Sequence, residues 1–542
     1  MTAGMLLSAS QSILADGSLL MAAWDGDIAT LQSILKDQVD VNSAQADGST
    51  ALAWAVYGDH GEAVDLLIHA GADVNAANIY GVTPLYLACE NRSQAVVRKL
   101  LEAGADPNYG KETGETPLMM CAGTGAVDAV KLLLRHGANV NAKEHDEDQT
   151  ALMWAVAGSY TEVVRELLAH GADVHARSKV ILEPEPYVID IDQAVLGSNY
   201  PPTVRFSGIS GGFTAMHFAA QQGDVETARL LLEAGADVNS PHQELGSALV
   251  ITIAGGHEDL ALFLLQKGAN PNLKDAWGIT PLHYALYEGV LILNNYKPAS
   301  DDHLGWTRKN MPKLVEVLLG FGADPNARIE YSYVGFDNLF LGRTVRGQNN
   351  TPQIDPVGAT PLLVAAAAGD VESMRILEKV SDPSATTIGG ATVFMLAAGA
   401  GAEHGVRHEK EALEAAKFAL AIGGGSVNDH LTERAAGGVN KGKEDGRTAL
   451  HFVSFLGWTS MVGFLAEQGA DLNVKDRYGM TPLLIALGDP EIRYVTVGDV
   501  VTERDFRIRT SADGKGNEKL AELIVELGAE PFTGEYQNRA GD

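Results

Sequence analysis

Residues 47–88 read DGSTALAWAVYGDHGEAVDLLIHAGADVNAANIYGVTPLYLA, and this stretch contains nearly the same sequence pattern twice. The segment Asp47-Gly48-Ser49-Thr50-Ala51-Leu52 returns as Tyr80-Gly81-Val82-Thr83-Pro84-Leu85, so Thr50 and Thr83 hold the same place in successive copies. Self-similarity at a fixed interval of this length indicates a chain assembled from stacked structural repeats rather than around one compact core.

The second copy shows how one unit is expected to fold. Thr83 can cap a helix because its hydroxyl accepts a hydrogen bond from a free first-turn N–H, and Pro84 suits the first helical position. A second apolar pattern at helical spacing covers residues 95–101, and Gly104 can end that helix in a left-handed conformation. Each unit is therefore predicted to be a helix–turn–helix followed by a turn-rich connection.

Two anchors recur along the chain and give about twelve units. One is Thr-Pro-Leu or a close variant, with a degenerate form at Ser18, and the other is a closing Gly-Ala-Asp-Val-Asn, with weaker forms at Gly424 and Gly528. The first anchor begins at Thr50, Thr83, Thr116, Thr150, Thr214, Ser247, Thr280, Thr360, Thr392, Thr448 and Thr481. The second begins at Gly71, Gly104, Gly137, Gly171, Gly235, Gly268, Gly322 and Gly469.

The interval from Thr50 to Thr83, the segment Thr280-Pro281-Leu282-His283 and the closure Gly71-Ala72-Asp73-Val74-Asn75 closely resemble the ankyrin repeat. The resemblance covers nearly the whole chain. It implies an all-α solenoid of about twelve helix pairs, with turn-tipped finger loops between them. It also implies a non-enzymatic scaffold that binds another protein. The long inserts resemble those of exported bacterial ankyrin proteins.

Departures from the regular interval define the expected organisation. Residues 1–15 are predicted to be an N-terminal extension, 16–532 a single solenoid and 533–542 a C-terminal tail. In the first insert, residues 187–192 alternate apolar and acidic side chains and residues 203–206 are strand-like, so an ordered hairpin is expected. The inserts are predicted at residues 177–211, 288–312, 327–357, 402–446 and 488–517.

Composition limits the class of partner. The 542 residues are 46% hydrophobic and 20% charged, which indicates a globular chain. Asp and Glu number 70 against 40 Lys and Arg, a formal charge of −30, and no Lys/Arg cluster is present. Nucleic acid is therefore not expected as a partner, whereas a protein with a basic surface is. No long, uninterrupted apolar run predicts a membrane span, and the oligomeric state stays open.

The N-terminal segment, MTAGMLLSASQSILADG, contains no Lys or Arg. It is either the remainder of a signal peptide, with Ala15 near the cleavage point, or a frayed end. Together with the resemblance to exported proteins, this favours an exported or periplasmic location over a cytoplasmic one.

The two cysteines, Cys89 and Cys121, fall near equivalent positions of neighbouring repeats, where alanine is usual. They are interpreted as small buried residues. A bridge between them stays open and would need close Cα atoms.

Aromatic side chains recur at positions that, by the resemblance, line the concave face and contact partners. Tyr80, Trp277 and Tyr478 directly precede a finger glycine, and Phe213 follows one. The end of the first helix holds Tyr57, Tyr287 and Phe455. These seven are the predicted partner-binding residues, because interfaces favour Tyr and Trp. The alternative is that finger tips pack on each other or on the inserts.

Histidines and one glycine-rich motif invite a catalytic or metal interpretation. His217, His283 and His451 occupy the histidine of Thr-Pro-Leu-His, which in this family resembles a structural hydrogen-bonding group. Three others, His69, His136 and His170, lie near the end of a second helix and suit a capping role. His404 and His408 could share a helical face, but spacing supplies no third ligand.

The segment Gly208-Ile209-Ser210-Gly211-Gly212 matches a nucleophile motif. Its glycines are better explained as turn residues, because the motif lies in a finger and no parallel sheet surrounds it. No cofactor fingerprint is present, so neither a cofactor nor an enzymatic activity is predicted. The competing hypothesis is a small-molecule or metal-dependent site, enzymatic or not, formed by the inserts of repeats seven to nine.

Overall fold

A computed structural model of the chain describes residues 18–37, 39–182, 209–286, 288, 290, 310–330, 354, 356–400, 407–432, 446–476, 479–487 and 517–531. These residues form pairs of antiparallel helices joined by turn-rich fingers, which confirms the predicted all-α ankyrin solenoid. The chain divides into two compact units. Unit 1 comprises Met1–Glu183 and Ile209–His242, and unit 2 comprises Pro184–Gly208 and Gln243–Asp542.

Unit 1 contains repeats 1 to 6, each with a first and a second helix. Their helices, in pairs, are 18–25 and Ile28–Lys36; Ala51–Tyr57 and Gly61–His69; Pro84–Glu90 and Gln94–Glu102; Pro117–Gly123 and Val127–Arg135; Ala151–Ala157 and Thr161–Ala169; and Ala215–Gln222 and Val225–Glu233.

Unit 2 contains repeats 7 to 12. Their helices, in pairs, are Ala248–Ala254 and Glu258–Gln266; Pro281–Tyr284 and Pro312–Gly320; Pro361–Ala368 and Val371–Leu377; Val393–Ala397 and Glu409–Ala421; Ala449–Leu456 and Thr459–Glu467; and Pro482–Leu487 and Glu518–Glu526.

The recurrent threonine caps the first helix, as its position in the anchor predicts. The hydroxyl of Thr50 accepts from the Ala53 N–H at 3.3 Å, and that of Thr83 accepts from the Tyr86 N–H at 3.2 Å. The closing glycines end the second helix in the left-handed conformation, with φ of +91° at Gly71 and +93° at Gly104. These local signals therefore fix where each helix begins and ends.

Three buried histidines extend this cap into the next repeat, which confirms their structural interpretation. His217 Nδ1 accepts from the Thr214 N–H at 3.0 Å, and its Nε2 donates to the Ser240 carbonyl at 3.1 Å. His283 and His451 make the same pair of bonds in unit 2. Burial lowers the pKa of His217 to about 3 and that of His283 to about 4, so both rings are neutral at pH 7.

The asparagine of the closing anchor joins several repeats to the next, although repeat 5 has His175 in its place. Asn75 accepts from the Asp106 N–H at 2.8 Å and donates to the Gly104 carbonyl at 3.3 Å, which lies one repeat further on. In unit 2, Asn272 does the same with Asp324 and Gly322. This asparagine ladder satisfies backbone groups at the end of a second helix.

The base of the first insert is a two-stranded antiparallel sheet. Strand β1, Ile181–Leu182, pairs with strand β2, Ile209–Ser210, in the register Ile181 to Ser210. The rest of the predicted hairpin lies outside the described residues. Gly211 and Gly212 follow β2 with φ of +89° and +80°, which confirms their interpretation as turn residues.

Cys89 and Cys121 form a disulfide. The interpretation of two separate small buried residues is therefore corrected. The first helices of repeats 3 and 4 pack side by side, and the two cysteines lie one position apart in the repeat frame. Their Cα atoms are consequently only 4.6 Å apart, within the range that a bridge requires.

No helix among the described residues is both long and apolar enough to span a bilayer.

Candidate interaction surface

The fourth residue of the first helix holds the same place in every repeat. In unit 1 this position is always a large apolar residue that keeps part of its surface accessible. We call the six together the unit 1 stripe: Met21, Trp54, Leu87, Met120, Trp154 and Phe218. Consecutive first helices from repeat 2 to repeat 6 pack on one another, so the stripe is a continuous surface along the unit.

An aromatic cluster of Trp24, Trp54 and Tyr57 forms the N-terminal end of the stripe. The rings of Trp24 and Tyr57 stack with centroids 5.5 Å apart, and Trp54 meets Trp24 edge-on at 4.6 Å. Trp24 is 44% exposed and Tyr57 is 52% exposed. The exposed position of Tyr57 agrees with its predicted place at the end of the first helix. Trp24 was missed because repeat 1 lacks the threonine anchor.

The finger between repeats 2 and 3 adds two exposed apolar side chains, Ile79 at 58% and Tyr80 at 63%. The Ile79 N–H donates to the Asp47 carbonyl of the preceding finger at 2.8 Å. The Tyr80 N–H donates to the Asn78 side chain at 3.0 Å. Because these bonds fix the backbone at the tip, Tyr80 is presented to solvent from a defined position.

Phe213 lies against other rings instead of projecting freely. It is half-buried, with its ring centroid 4.4 Å from that of His242 and 5.5 Å from that of Phe218. Its location fits the alternative that finger residues pack on their neighbours. Through Phe218 it still borders the unit 1 stripe.

Trp277 and Phe455, predicted to be exposed, are buried at 5% and 7% exposure. Trp277 is held between fingers, since its carbonyl accepts from the Glu330 N–H at 2.9 Å and its N–H donates to Asp275 at 2.9 Å. Phe455 belongs to the helix Ala449–Leu456, in which every residue is buried. Neither side chain offers a surface to a partner in this structure.

The remaining two predicted residues, Tyr287 and Tyr478, lie outside the described residues.

Unit 2 buries the position that unit 1 exposes. None of its six equivalents is more than 9% exposed. They are Ile251, Tyr284, Val364, Leu396, Phe452 and Ile485. The accessible stripe is therefore a property of unit 1 and not of the repeat as such.

Two buried charged groups accompany this covered face of unit 2. Burial raises the pKa of Asp275 to about 7, against the opposing effect of hydrogen bonds from Tyr284, Ile279 and Trp277. Arg407 is buried too, and burial lowers its pKa to about 10. Its guanidinium donates to three carbonyls at the ends of the first helices of repeats 9 and 10, at 2.6–3.2 Å. Arg407 thus acts as a cap over these helix ends.

Between the two helices of every unit 1 repeat, one turn residue has positive φ. In repeats 1, 4 and 6 it is a glycine, whereas Asp59, Arg92 and Ser159 hold this position at φ of +54°, +58° and +56°. A non-glycine residue in this region costs about 1 kcal/mol. All three are exposed beside the unit 1 stripe, and retained strain of this kind is typical of functional surfaces.

The competing metal hypothesis finds no constellation in the part of the chain that is described. No group of three or more His, Cys, Asp or Glu that could hold a metal occurs there. His408 precedes the helix Glu409–Ala421 as its N-cap residue, and His404 lies outside the described residues. His69 and His170 each bond through Nδ1 to a carbonyl four residues earlier, at 2.7 and 2.8 Å, as a capping role requires. His136 is the C-cap residue of its helix.

Comparison with known proteins gives three curated or solved relatives of different kinds. The chain is 24% identical over 360 residues to E3 ubiquitin-protein ligase KEG of Arabidopsis thaliana, a match covering 61% of this chain and 20% of that protein. It is 33% identical over 140 residues to Palmitoyltransferase Hip14 of Drosophila melanogaster, covering 25% of this chain and 18% of that protein. The human ASB11 ankyrin repeat domain matches at 25% identity and a TM-score of 0.37, covering 47% of this chain and 98% of that one.

The curated relatives named above are much longer than their matching regions, and across the most similar ones this chain spans only 10% to 52% of their length.

Family models establish the affiliation. A model described as "Ankyrin repeats (3 copies)" matches residues 19–111, 108–178 and 216–329, together more than half of the chain. A second, described as "Ankyrin repeat", matches residues 445–477. These matches fall on the helix pairs and fingers of both units, and the chain therefore belongs to the ankyrin-repeat family.

Proposed function

We propose that the chain is a non-enzymatic scaffold that binds another protein through the stripe and finger tips of unit 1. Ankyrin repeats indicate a protein-interaction scaffold, and the proposal adds where the contact is made. The observation that carries it is the contrast in one repeated position, which is accessible in all six repeats of unit 1 and buried in all six of unit 2.

The chemistry of the exposed side chains supports this surface. Met21, Trp24, Tyr57, Ile79 and Tyr80 are all exposed apolar or aromatic residues. Aromatic side chains dominate the binding energy of interfaces because each buries a large area with few rotatable bonds. Backbone bonds within and between fingers hold Tyr80 in place before binding, which reduces the entropy lost on docking. Tyr57 and Tyr80 are the predicted residues that this proposal retains as anchors, with Phe213 at the border.

The proposal is tested by chemical cross-linking of the tagged full-length chain in a lysate of its source organism, followed by mass spectrometry. The variant Met21→Ser/Tyr57→Ala/Tyr80→Ala changes three side chains that are each more than half exposed, so the fold is expected to persist. Proteins cross-linked to repeats 1 to 4 of the wild type should be lost from this variant.

A matched control removes exposed apolar side chains from unit 2, through Phe321→Ala/Val380→Ser/Ile388→Ser. It should retain those cross-linked proteins. If both triple variants keep the same proteins, or if the control loses them equally, the unit 1 surface is not the binding site. Circular dichroism of both variants separates a lost contact from a lost fold.

A further inference from the structure

Three carboxylates surround the aromatic cluster of unit 1. Asp25 directly follows Trp24, and Asp59 lies two residues after Tyr57. Glu90 holds in repeat 3 the position that Tyr57 holds in repeat 2. All three are exposed, and none forms an ion pair with another of the described residues. No described ion pair therefore neutralises any of the three carboxylates.

Two basic side chains of repeat 3 have other partners. Lys99 pairs with Asp65 at 2.7 Å and donates to the Gly61 carbonyl at 2.8 Å. Arg92 follows Glu90 by two residues, but its guanidinium donates to the Tyr160 hydroxyl at 3.3 Å and lies 6.0 Å from the centroid of that ring. Tyr160 belongs to repeat 5, so Arg92 reaches across repeat 4, where Gly125 leaves room for the Tyr160 ring. Its positive charge is thus held away from Asp59 and Glu90.

One of the three carboxylates lies on a strained backbone. Asp59 has a φ of +54° in a turn where repeats 1, 4 and 6 use glycine, and Arg92 and Ser159 keep a similar φ in repeats 3 and 5. The strain therefore belongs to this turn position and does not by itself select a carboxylate.

We propose that this N-terminal end of the stripe binds a Lys or Arg side chain of the partner protein, placed between the Tyr57 ring and the carboxylates of Asp59 and Glu90. The inference rests on the proposed function and identifies the kind of segment that the surface takes, a basic residue flanked by apolar ones. Aromatic rings attract cations through their faces, and unpaired carboxylates add charge complementarity. The formal charge of −30 steers a basic segment toward the chain.

The test uses the purified full-length chain and a phage-displayed library of random dodecapeptides. Selected peptides are expected to carry Lys or Arg at one position beside apolar residues. For the tightest of them, Asp59→Asn/Glu90→Gln should weaken binding by roughly 5- to 30-fold, and added salt should weaken wild-type binding. Tyr57→Phe keeps the ring face and should keep the affinity, whereas Tyr57→Leu keeps apolar area without the ring and should lose selection for the basic residue.

The control Glu62→Gln/Glu102→Gln removes the same charge from exposed positions on second helices and should leave binding unchanged. The selection could instead yield peptides that lack a basic residue. If these bind the wild type, lose binding with Tyr57→Ala and bind Asp59→Asn/Glu90→Gln unchanged, this inference is overturned and the proposed function stands. Peptides indifferent to all of these variants, or a selection that yields no binder, would count against both.

Discussion

Units 1 and 2 are built from the same repeat, yet they treat one position of the first helix in opposite ways. Trp54 and Leu87 of unit 1 are partly accessible, whereas their equivalents Val364 and Leu396 of unit 2 are fully buried. The same threonine cap begins the helices that carry Trp54 and Leu396, so the repeat frame alone does not decide what is exposed. The packing around this position therefore differs between the two units.

The largest expected effect separates the two finger-tip aromatics, Trp277 and Tyr80. Trp277→Ala should lower the free energy of unfolding by about 3–5 kcal/mol, because a buried ring is replaced by a cavity. Tyr80→Ala should change it by less than about 0.5 kcal/mol, since the ring is exposed. Urea denaturation of both variants measures the difference. Equal losses would show that the contrast in burial does not hold.

The disulfide gives unit 1 a second property that unit 2 lacks in the described residues. Its cysteines are 32 residues apart, so loop closure in the unfolded chain should contribute about 3–4 kcal/mol. Cys89→Ala/Cys121→Ala, with the alanine usual at these positions, should lose that contribution and become insensitive to dithiothreitol. Disulfides of this kind persist in oxidising compartments, which bears on the expected export.

Hydrogen exchange by mass spectrometry locates the effect of removing the bridge. Protection should fall in repeats 3 and 4, and repeats 9 and 10 serve as the internal control. The assignment is wrong if mass spectrometry of the unreduced protein finds two free thiols.

Acidification should lower the stability of unit 1 more than that of unit 2. In unit 1 the pKa of His217 is about 3 in the fold, because of burial, and 6.5 in the unfolded chain. Below pH 6.5 the unfolded state therefore binds more protons at this histidine than the folded state does. Lowering the pH from 7 to 5 should reduce the free energy of unfolding by about 2 kcal/mol. In unit 2 the lowered pKa of His283 likewise reduces the stability of the fold as pH falls. Asp275 has the opposite effect, because burial raises its pKa to about 7 and its protonation in the fold increases stability as pH falls.

Hydrogen exchange at pH 7 and pH 5, corrected for intrinsic rates, should show unit 1 loosening more than unit 2. His217→Gln should remove about 2 kcal/mol of the pH dependence of unit 1 in urea denaturation, because the variant has no group at this position that titrates in that range. Equal loosening of the two units, or an unchanged slope in the variant, would contradict the prediction.

Local residues made most of the fold predictable. Thr83 and Gly104 act on the backbone within a few residues, so the sequence alone places the ends of the helices. Exposure could not be predicted in the same way. Tyr80 and Trp277 precede a finger glycine in the same pattern, but Tyr80 is 63% exposed and Trp277 is 5% exposed, so the local pattern does not decide burial. The Cys89–Cys121 bridge stays open at the level of sequence for a related reason, since it depends on packing between repeats.

The smallest expected effect concerns the turn between the helices, where Asp59 of unit 1 and Gly369 of unit 2 hold the same position. Asp59→Gly relieves about 1 kcal/mol of backbone strain but gives the unfolded chain more entropy, worth about 0.5–1 kcal/mol. The net change in stability should be within about 0.5 kcal/mol, while binding of a basic peptide weakens. Gly369→Ala should instead destabilise by about 1 kcal/mol or more, because φ is +72° and the added methyl meets the Arg407 side chain. Denaturation and peptide-binding measurements on each variant separate a binding role from a structural one. If Asp59→Gly weakens peptide binding without lowering the free energy of unfolding, Asp59 contributes to the binding surface. If it destabilises the chain as much as Gly369→Ala does, Asp59 is a structural residue.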